Sequence, residues 1–561
     1  MCGFCLTTGP KPANADAIEA ILALRGPDGR GEIEEDSYWM LHRRLTVIDP
    51  SDRSSQPFVL RDCMAAENPH ALVYNGEIYN YRDIQPQFRD LRTDGDTEIM
   101  GRILSGGGQV SSLSGMYAAA VVDGDTVRLT RDRFGIKPLY RSVDRHGQLH
   151  VASQLRCFHH LIDDLTIDQR SVACFLQFGN VHGATMFAEV DEVPPGTTEI
   201  WKNGERIAVE SLPPLVPGGD LKNALHGSMQ RHLVADVDIA VLLSAGLDSA
   251  VLAFLAKECG ADPVAVTLAA KDGRDESEEA AKTAKAFGLR HEIIDVTETD
   301  GAEAVDEFFA AMDQPTIDGF NTFLVARAVR DLGIPVALSG LGADELFGGY
   351  SSFRRAELTH RFRHLPRPIL AAVARRSGGN PAKVDRWINA RHNRALLAQI
   401  TREVLSPEQV EAACGMMYAP NLPSLSSADE IMQSEVWRYM APTLLRDSDA
   451  FSMANSVELR VPFLDDAVVS SALARTSRQR ATEGKRAIVN ALNHPRLEEI
   501  MQRPKTGFEL PIERWLQGSL GSTWNSPSRP TRFKLPTGTA TWSATVLDRW
   551  LAAHEQKQVQ R

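Results

Sequence analysis

No stretch of the 561 residues is apolar over the roughly twenty positions that a membrane-spanning helix needs. No charged segment followed by an apolar one stands near the start, so no secretory leader is read there. The compartment expected from these absences is the cytoplasm. Positive charge is in deficit as well: 61 Lys and Arg stand against 73 Asp and Glu, a formal net charge of −12. A binder of the phosphate backbone would show a basic face, so no nucleic-acid partner is expected, and no membrane partner either. Cysteine is sparse and odd in number. The seven, Cys2, Cys5, Cys63, Cys157, Cys174, Cys259 and Cys414, are scattered and do not read as a disulfide framework. Cys2-Gly-Phe-Cys5 formally matches a C-x-x-C redox or zinc motif. A redox pair would want a strand before it, and a zinc site would want a second such pair; the sequence supplies neither.

What is present is an ordinary globular composition, 43% hydrophobic and 24% charged, in a chain too long for one core. Two or three domains are expected. The most informative stretch is Ile239 to Ala256. Ile239–Leu243 is apolar and β-prone, as in a strand buried on both faces of a parallel sheet. Ser244-Ala-Gly-Leu-Asp-Ser249 then turns the chain, and Ala250 to Lys257 reads as a helix with Ser249 near its start. Strand, small-residue loop and helix N-terminus together aim backbone N–H groups and a positive dipole at one point, an anion site. The loop carries no lysine, so it is not the Gly-Lys-Ser/Thr loop of kinases and ATPases. Ser244, Ser249 and Asp248 suit pyrophosphate bound with Mg²⁺. An ordinary turn after a buried strand is the plain alternative. The loop resembles that of the ATP pyrophosphatases, which adenylate a substrate; Ala245 stands where they usually carry a first Gly.

Short motifs crowd the first 200 residues: Arg25-Gly-Pro-Asp28, Leu41 to Asp49, Tyr74-Asn-Gly-Glu-Ile-Tyr-Asn80, Asp94-Gly-Asp-Thr-Glu98, Ser114 to Ala118 and Arg131 to Tyr140. Singly, each has a plain reading: Asn75-Gly76 as a hairpin turn, Arg44 as a solvated charge, Asp96 as a cap. In order, they closely resemble the glutaminase domain of the class II, N-terminal-nucleophile amidotransferases. That resemblance implies an α-β-β-α sandwich of two antiparallel sheets. It implies that Cys2, once Met1 is removed, attacks glutamine with its own α-amine as base, since amine and thiol have pKa values of about 7.7–8.0 and 8.5. It makes Asn75 and Gly76 the oxyanion hole, and Arg44, Leu45, Val47, Glu77 and Asp96 the rest of the glutamine site.

The first domain is placed at residues 1–205, a Pro/Gly-rich linker at 206–219 and the second domain at 220–520. A tail at 521–561 carries one short helix, Thr541–Gln556, whose Trp542, Val546, Leu547, Trp550 and Leu551 suggest docking on the body. From Asp220, helix and strand alternate, which argues for an α/β, doubly wound parallel sheet with its site at the strand C-terminal ends. Ser339 to Tyr350 sets four glycines beside Asp344 and Glu345, and Leu445 to Asp465, Gly484-Lys485 and Arg503 to Phe508 follow. These resemble the synthetase domain of glutamine-hydrolysing asparagine synthetases. The resemblance implies ATP as co-substrate, with Leu242, Val266, Ser339 and Gly340 at adenosine and Ser244, Gly246, Asp248 and Ser249 at the phosphates. It implies Mg²⁺ on Asp248 and Asp344, and Lys485 as a catalytic cation. The expected reaction amidates an adenylated carboxylate, aspartate first, with ammonia passed inside the protein from glutamine. Asparagine-forming members commonly carry Glu where this chain has Leu341, so another acceptor, such as a uronic-acid sugar or a natural-product intermediate, stays open. A tRNA-thiolating or nucleotide-activating pyrophosphatase and a non-catalytic relative are the readings from other classes. Whether the chain forms a homodimer is left open.

Overall fold

A computed structural model describes residues 2–60, 70–270, 275–376, 381–418, 429–504, 510, 515 and 539–559. Met1, Cys63, residues 505–508 and the polar tail before residue 539 lie outside the described residues.

The first domain is built on strands that alternate their faces. Ala71 and Val73 point toward one side of their strand, Leu72 and Tyr74 toward the other. One six-stranded antiparallel sheet runs in the order Asp191–Glu192, Tyr140–Val143, Leu149–Ala152, Cys2–Thr7, Tyr38–Arg44, Gly29–Glu35. The other runs Glu205–Ser211, Thr197–Lys202, Thr126–Arg131, Gly115–Asp123, His70–Ile78, Phe58–Leu60. Phe4, Leu6 and Met40 of the first sheet meet Val73, Ala120 and Leu129 of the second in a shared core. Helices Ala15–Ala23 and Gln169–Phe178 cover the outer face of the first sheet, and Asp96–Arg102 lies against the second. The result is the α-β-β-α sandwich.

The second domain has a five-stranded, wholly parallel sheet in the order His291–Val296, Val264–Ala270, Ile239–Leu242, Val336–Leu338, Glu458–Arg460. The first strand in sequence, Ile239–Leu242, sits at its centre. The chain moves outward from it in one direction and returns to pair Val336–Leu338 on its other side. Helices leaving two adjacent strand ends in opposite directions open a crevice between them, and the Ser244 and Ser339 loops line that crevice.

Two boundaries differ from the sequence expectation. Residues 206–211, expected in the linker, belong to the edge strand Glu205–Ser211, which pairs with Thr197–Lys202. Every residue of that strand is exposed, so it shows no apolar alternation by which to recognise it. The tail helix, expected over Thr541–Gln556, runs a few residues further at each end, Thr539–Val559. Val546, Leu547, Trp550 and Leu551 are buried, packing with Phe187 and the Gln169–Phe178 helix, and Trp542 Nε1 donates to the Ile317 carbonyl at 2.9 Å. No helix among the described residues is long and apolar enough to cross a membrane.

Docking of the tail helix has a measurable consequence. Leu547→Ala removes a fully buried side chain, which is expected to cost about 2–5 kcal/mol. The thermal unfolding midpoint should fall; an unchanged midpoint would show that the helix adds nothing to the body.

Candidate active sites

Cys2 opens an inner strand of the first sheet, in register with Arg44. Side chains three apart on a strand face opposite ways, so Cys2 and Cys5 are on opposite sides of the sheet. Cys5 packs with Trp39 and the Ala15–Ala23 helix, and burial together with neighbouring Cys157 pushes its thiol pKa well up. The pair is therefore no dithiol, and the C-x-x-C alternative falls on geometry.

Asn75 lies across from Cys2. Its Oδ1 accepts the Cys2 backbone N–H at 3.0 Å, which orients the amide. Its Nδ2 is buried and has no partner among the described residues, a donor held ready for an oxygen that is not part of the protein. Gly76 follows at φ +150°, and a Cβ there would fall 2.1 Å from the Met116 carbonyl oxygen, so the backbone passes where only glycine fits. Glu77 is the next residue on the strand. Asp96, at the start of its helix, accepts the Tyr74 hydroxyl at 2.8 Å and the Ile78 N–H at 2.9 Å. Burial, aided for Glu77 by Glu458 and Asp96, pushes both carboxyls above their usual range. Two buried acids side by side form a niche for a cation. Leu45 and Val47 are buried after the strand that ends at Arg44. Arg44 itself donates to the carbonyls of Ile48, Asp49 and Ser51, so three of its five N–H groups anchor that loop.

The second site is a cavity of about 300 Å³ at the strand switch. Leu242, Ser244, Asp248, Ser249, Val266, Ser339, Gly340 and Asp344 line it; Gly246 stands behind, donating its N–H to Ser244 Oγ at 3.1 Å and capping the helix Leu247–Glu258. Lys485, 237 residues from Asp248 in sequence, bridges the two acids at 2.5 Å to Asp248 Oδ2 and 2.5 Å to Asp344 Oδ1. Burial opposes the Lys485 charge, but the two carboxylates outweigh it and hold the ammonium well above its usual pKa. Two carboxylates converging on one cation fit Mg²⁺, which takes one or two protein carboxylates and fills its remaining positions with phosphate oxygens and water. Leu341 is part of the wall, as is Glu345, five residues from Tyr350, whose hydroxyl donates to Glu345 Oε1 at 2.6 Å. Burial, then Asp344, pushes the Glu345 carboxyl up to about 7.

Similarity to known proteins follows the same division. The glutamine amidotransferase domain model matches residues 1–210, and the asparagine synthase model matches residues 220–557. The putative glutamine-hydrolysing asparagine synthetase of Mycobacterium tuberculosis is 30% identical, over 91% of this chain and 87% of that protein. The chain belongs to the glutamine-hydrolysing asparagine synthetase family. Asparagine synthetase 1 of Bacillus subtilis is 27% identical over 93% of this chain and 88% of its own, and asparagine synthetase B of Escherichia coli is 28% identical over 63% and 66%. This enzyme is thus a glutamine-dependent amidotransferase of the ligase type. Sequence reasoning missed several residues of its sites. Glu276 receives the Ala245 N–H at 3.2 Å and lines the cavity, as does Asn321, whose buried Oδ1 has no partner among the described residues. Arg25, Lys137, Asp449 and Glu458 crowd the first site. Arg25 and Asp449 sit in motifs visible in the sequence, but nothing there showed that they touch.

A cation niche between Asp248 and Asp344 can be tested without catalysis. Lys485→Met leaves the two carboxylates facing each other, and the thermal midpoint should fall. Adding Mg²⁺ or Mn²⁺ should raise the midpoint of this variant more than that of the unaltered enzyme; equal shifts would argue against the niche.

Proposed function

We propose that this enzyme hydrolyses glutamine at Cys2 and uses the ammonia to amidate an adenylated carboxylate, aspartate, in the second domain. With Met1 removed, the Cys2 α-amine takes the thiol proton, and the thiolate attacks the glutamine amide carbon. Asn75 Nδ2 and the Gly76 N–H meet the oxygen as it becomes negative; each such donor lowers the barrier by about 2.7–4 kcal/mol. Ammonia leaves with the transferred proton, and water hydrolyses the thioester to glutamate. Glu77 and Asp96 take the α-ammonium of glutamine, Arg44 its carboxylate, and Leu45 and Val47 flank it.

In the second domain, the acceptor carboxylate attacks the α-phosphorus of ATP and pyrophosphate leaves. Ammonia then attacks the acyl adenylate, giving an amide and AMP. Adenosine lies against Leu242, Val266, Ser339 and Gly340, and the phosphates meet Ser244, Gly246 and Ser249. Asp248 and Asp344 would hold Mg²⁺, which would offset phosphate charge. Lys485 steadies the developing charge beside them. The observation that carries this reading is the convergence of Asp248, Asp344 and Lys485 next to a phosphate loop that has no lysine of its own.

Leu341 favours a second reading of the acceptor. An apolar side chain lines the cavity where asparagine-forming relatives commonly carry an acid, which suits a different carboxylate, a uronic-acid sugar or a natural-product intermediate. If aspartate is the acceptor, Glu345, in the same wall and bonded to Tyr350, supplies the acid that Leu341 cannot.

Pyrophosphate release across a panel of carboxylates separates the acceptors. Aspartate should drive it, with AMP as the other product; ADP and orthophosphate would overturn the adenylation route. Asp248→Ala should abolish that release and spare glutamine hydrolysis, and Glu345→Gln should slow release with the true acceptor.

The first half-reaction has its own test. Cys2→Ala should use free ammonia but not glutamine, while Cys5→Ala changes little. Asn75→Asp keeps the acceptor for the Cys2 N–H and removes the Nδ2 donor, so glutamine hydrolysis should fall about 10²–10³-fold. Glutamine-dependent synthesis persisting in Cys2→Ala would remove the nucleophile assignment.

A further inference from the structure

The peptide of Cys2 is held from a second direction. Arg25 Nε donates to the Cys2 carbonyl at 3.0 Å. The outer edge of the same guanidinium grips Asp449 with both arms, Nη1 to Oδ2 at 2.7 Å and Nη2 to Oδ1 at 3.1 Å. Asp449 stands 424 residues further along, on the helix Arg446–Met453 of the second domain. Lys137 Nζ reaches Asp449 Oδ1 at 3.1 Å, and all three side chains are 1–2% exposed. Lys137 is itself placed by Asp132, whose carboxylate accepts the N–H groups of Phe134, Ile136 and Lys137.

A guanidinium is planar, so a carboxylate that takes both arms also sets the direction of Nε. The Asp449 helix cannot drift. Phe451 stacks on Phe308 at 4.6 Å and fills the space where a Cβ on Gly319 would lie, while Arg446 donates to the Val181 carbonyl at 2.9 Å. Further along the same segment, the Arg460 carbonyl accepts the Ser339 N–H at 2.8 Å, and Phe463 and Leu464 pack against Gly342. One run of chain, residues 446–464, therefore touches both the Cys2 support and the loop that lines the nucleotide cavity.

We propose that Asp449 is a positioning residue for the Cys2 nucleophile: a second-domain carboxylate that, through Arg25, holds the attacking residue of the first domain in place. Glutamine hydrolysis then depends on the docked helix Arg446–Met453, and the glutaminase site is complete only with both domains assembled. This rests on the assignment of Cys2 as nucleophile and adds to it the part played by the second domain.

The test is Asp449→Asn in the full chain, with glutamine hydrolysis and ammonia-driven pyrophosphate release measured on the same preparation. The turnover number for glutamine should fall roughly 10- to 100-fold, the range for displacing a reacting group by a fraction of an ångström to one ångström. KM for glutamine should move little, since Glu77 and Asp96 are untouched, and ammonia-driven release should persist. Asp449→Glu should recover part of the turnover. Arg25→Lys, which keeps the charge but cannot grip both carboxylate oxygens, should show the same selective loss and serves if Asp449→Asn does not fold. Asp466→Asn breaks another cross-domain pair, Arg133 Nε to Asp466 Oδ1 at 2.9 Å, and should leave glutamine hydrolysis unchanged. Unaltered turnover in Asp449→Asn, or equal loss of both half-reactions, would overturn the proposal, as would an equal loss in Asp466→Asn. Unaltered enzyme that hydrolyses no glutamine, or Cys2→Ala enzyme that does, would instead remove the nucleophile assignment.

Discussion

A carboxylate buried between two cations joins the halves of this enzyme. Burial alone opposes the charge on Asp449, yet Arg25 and Lys137 outweigh it and hold its carboxyl below the usual range. Such a group is tolerated only when fully partnered, because removing one member of a buried ion pair leaves a charge that costs about 3–5 kcal/mol. The pairing therefore fixes how the sandwich meets the parallel sheet. Other cross-domain contacts follow from that fit: Gln177 Nε2 to Glu403 Oε1 at 3.1 Å, and Ser456 Oγ to the Leu24 carbonyl at 2.6 Å.

The two sites use buried charge in opposite ways. Around Cys2, Glu77, Asp96 and Glu458 gather acids in a space closed to water. Arg460 compensates Glu458, bonded to it at 2.5 Å, but leaves Glu77 with its carboxyl pushed up. That leaves an environment which an ammonium group would stabilise. At the cavity beside the Ser244 loop the acids are already compensated, since Lys485 lies between Asp248 and Asp344.

The fold class of the second domain was legible because strands and helices take turns along it. For the first domain the residues showed only β-rich runs, and the sandwich came from the resemblance of its ordered motifs to the class II glutaminases. The linker was misplaced for a physical reason: Glu205–Ser211 is an edge strand exposed on both faces, held by backbone pairing to Thr197–Lys202, and backbone pairing leaves no trace in side-chain pattern. The tail helix was placed to within a few residues at each end, since its Trp542, Val546, Leu547, Trp550 and Leu551 recur at helical spacing. Leu341 shows the reverse case: it stands out without coordinates against the family resemblance, and Glu345, the nearest acid in sequence, lies in the same cavity wall with its hydroxyl partner Tyr350.

By itself the sequence determined the chemistry on offer: Cys2, an Asn-Gly pair, a serine-rich strand-to-helix loop without lysine, and two acids beside glycines. These are local features, and local features survive in a string of letters. Tertiary structure decided which of them meet. Asp248 and Asp344 come from the first turns of two helices and Lys485 from the cap of a third, and only the strand order, with Ile239–Leu242 beside Val336–Leu338, brings the first two together. Asn75 gained its orientation from the Cys2 N–H on the opposite sheet. Arg25 and Asp449 lie 424 residues apart, and their contact exists because the domains pack, which no spacing along the sequence encodes.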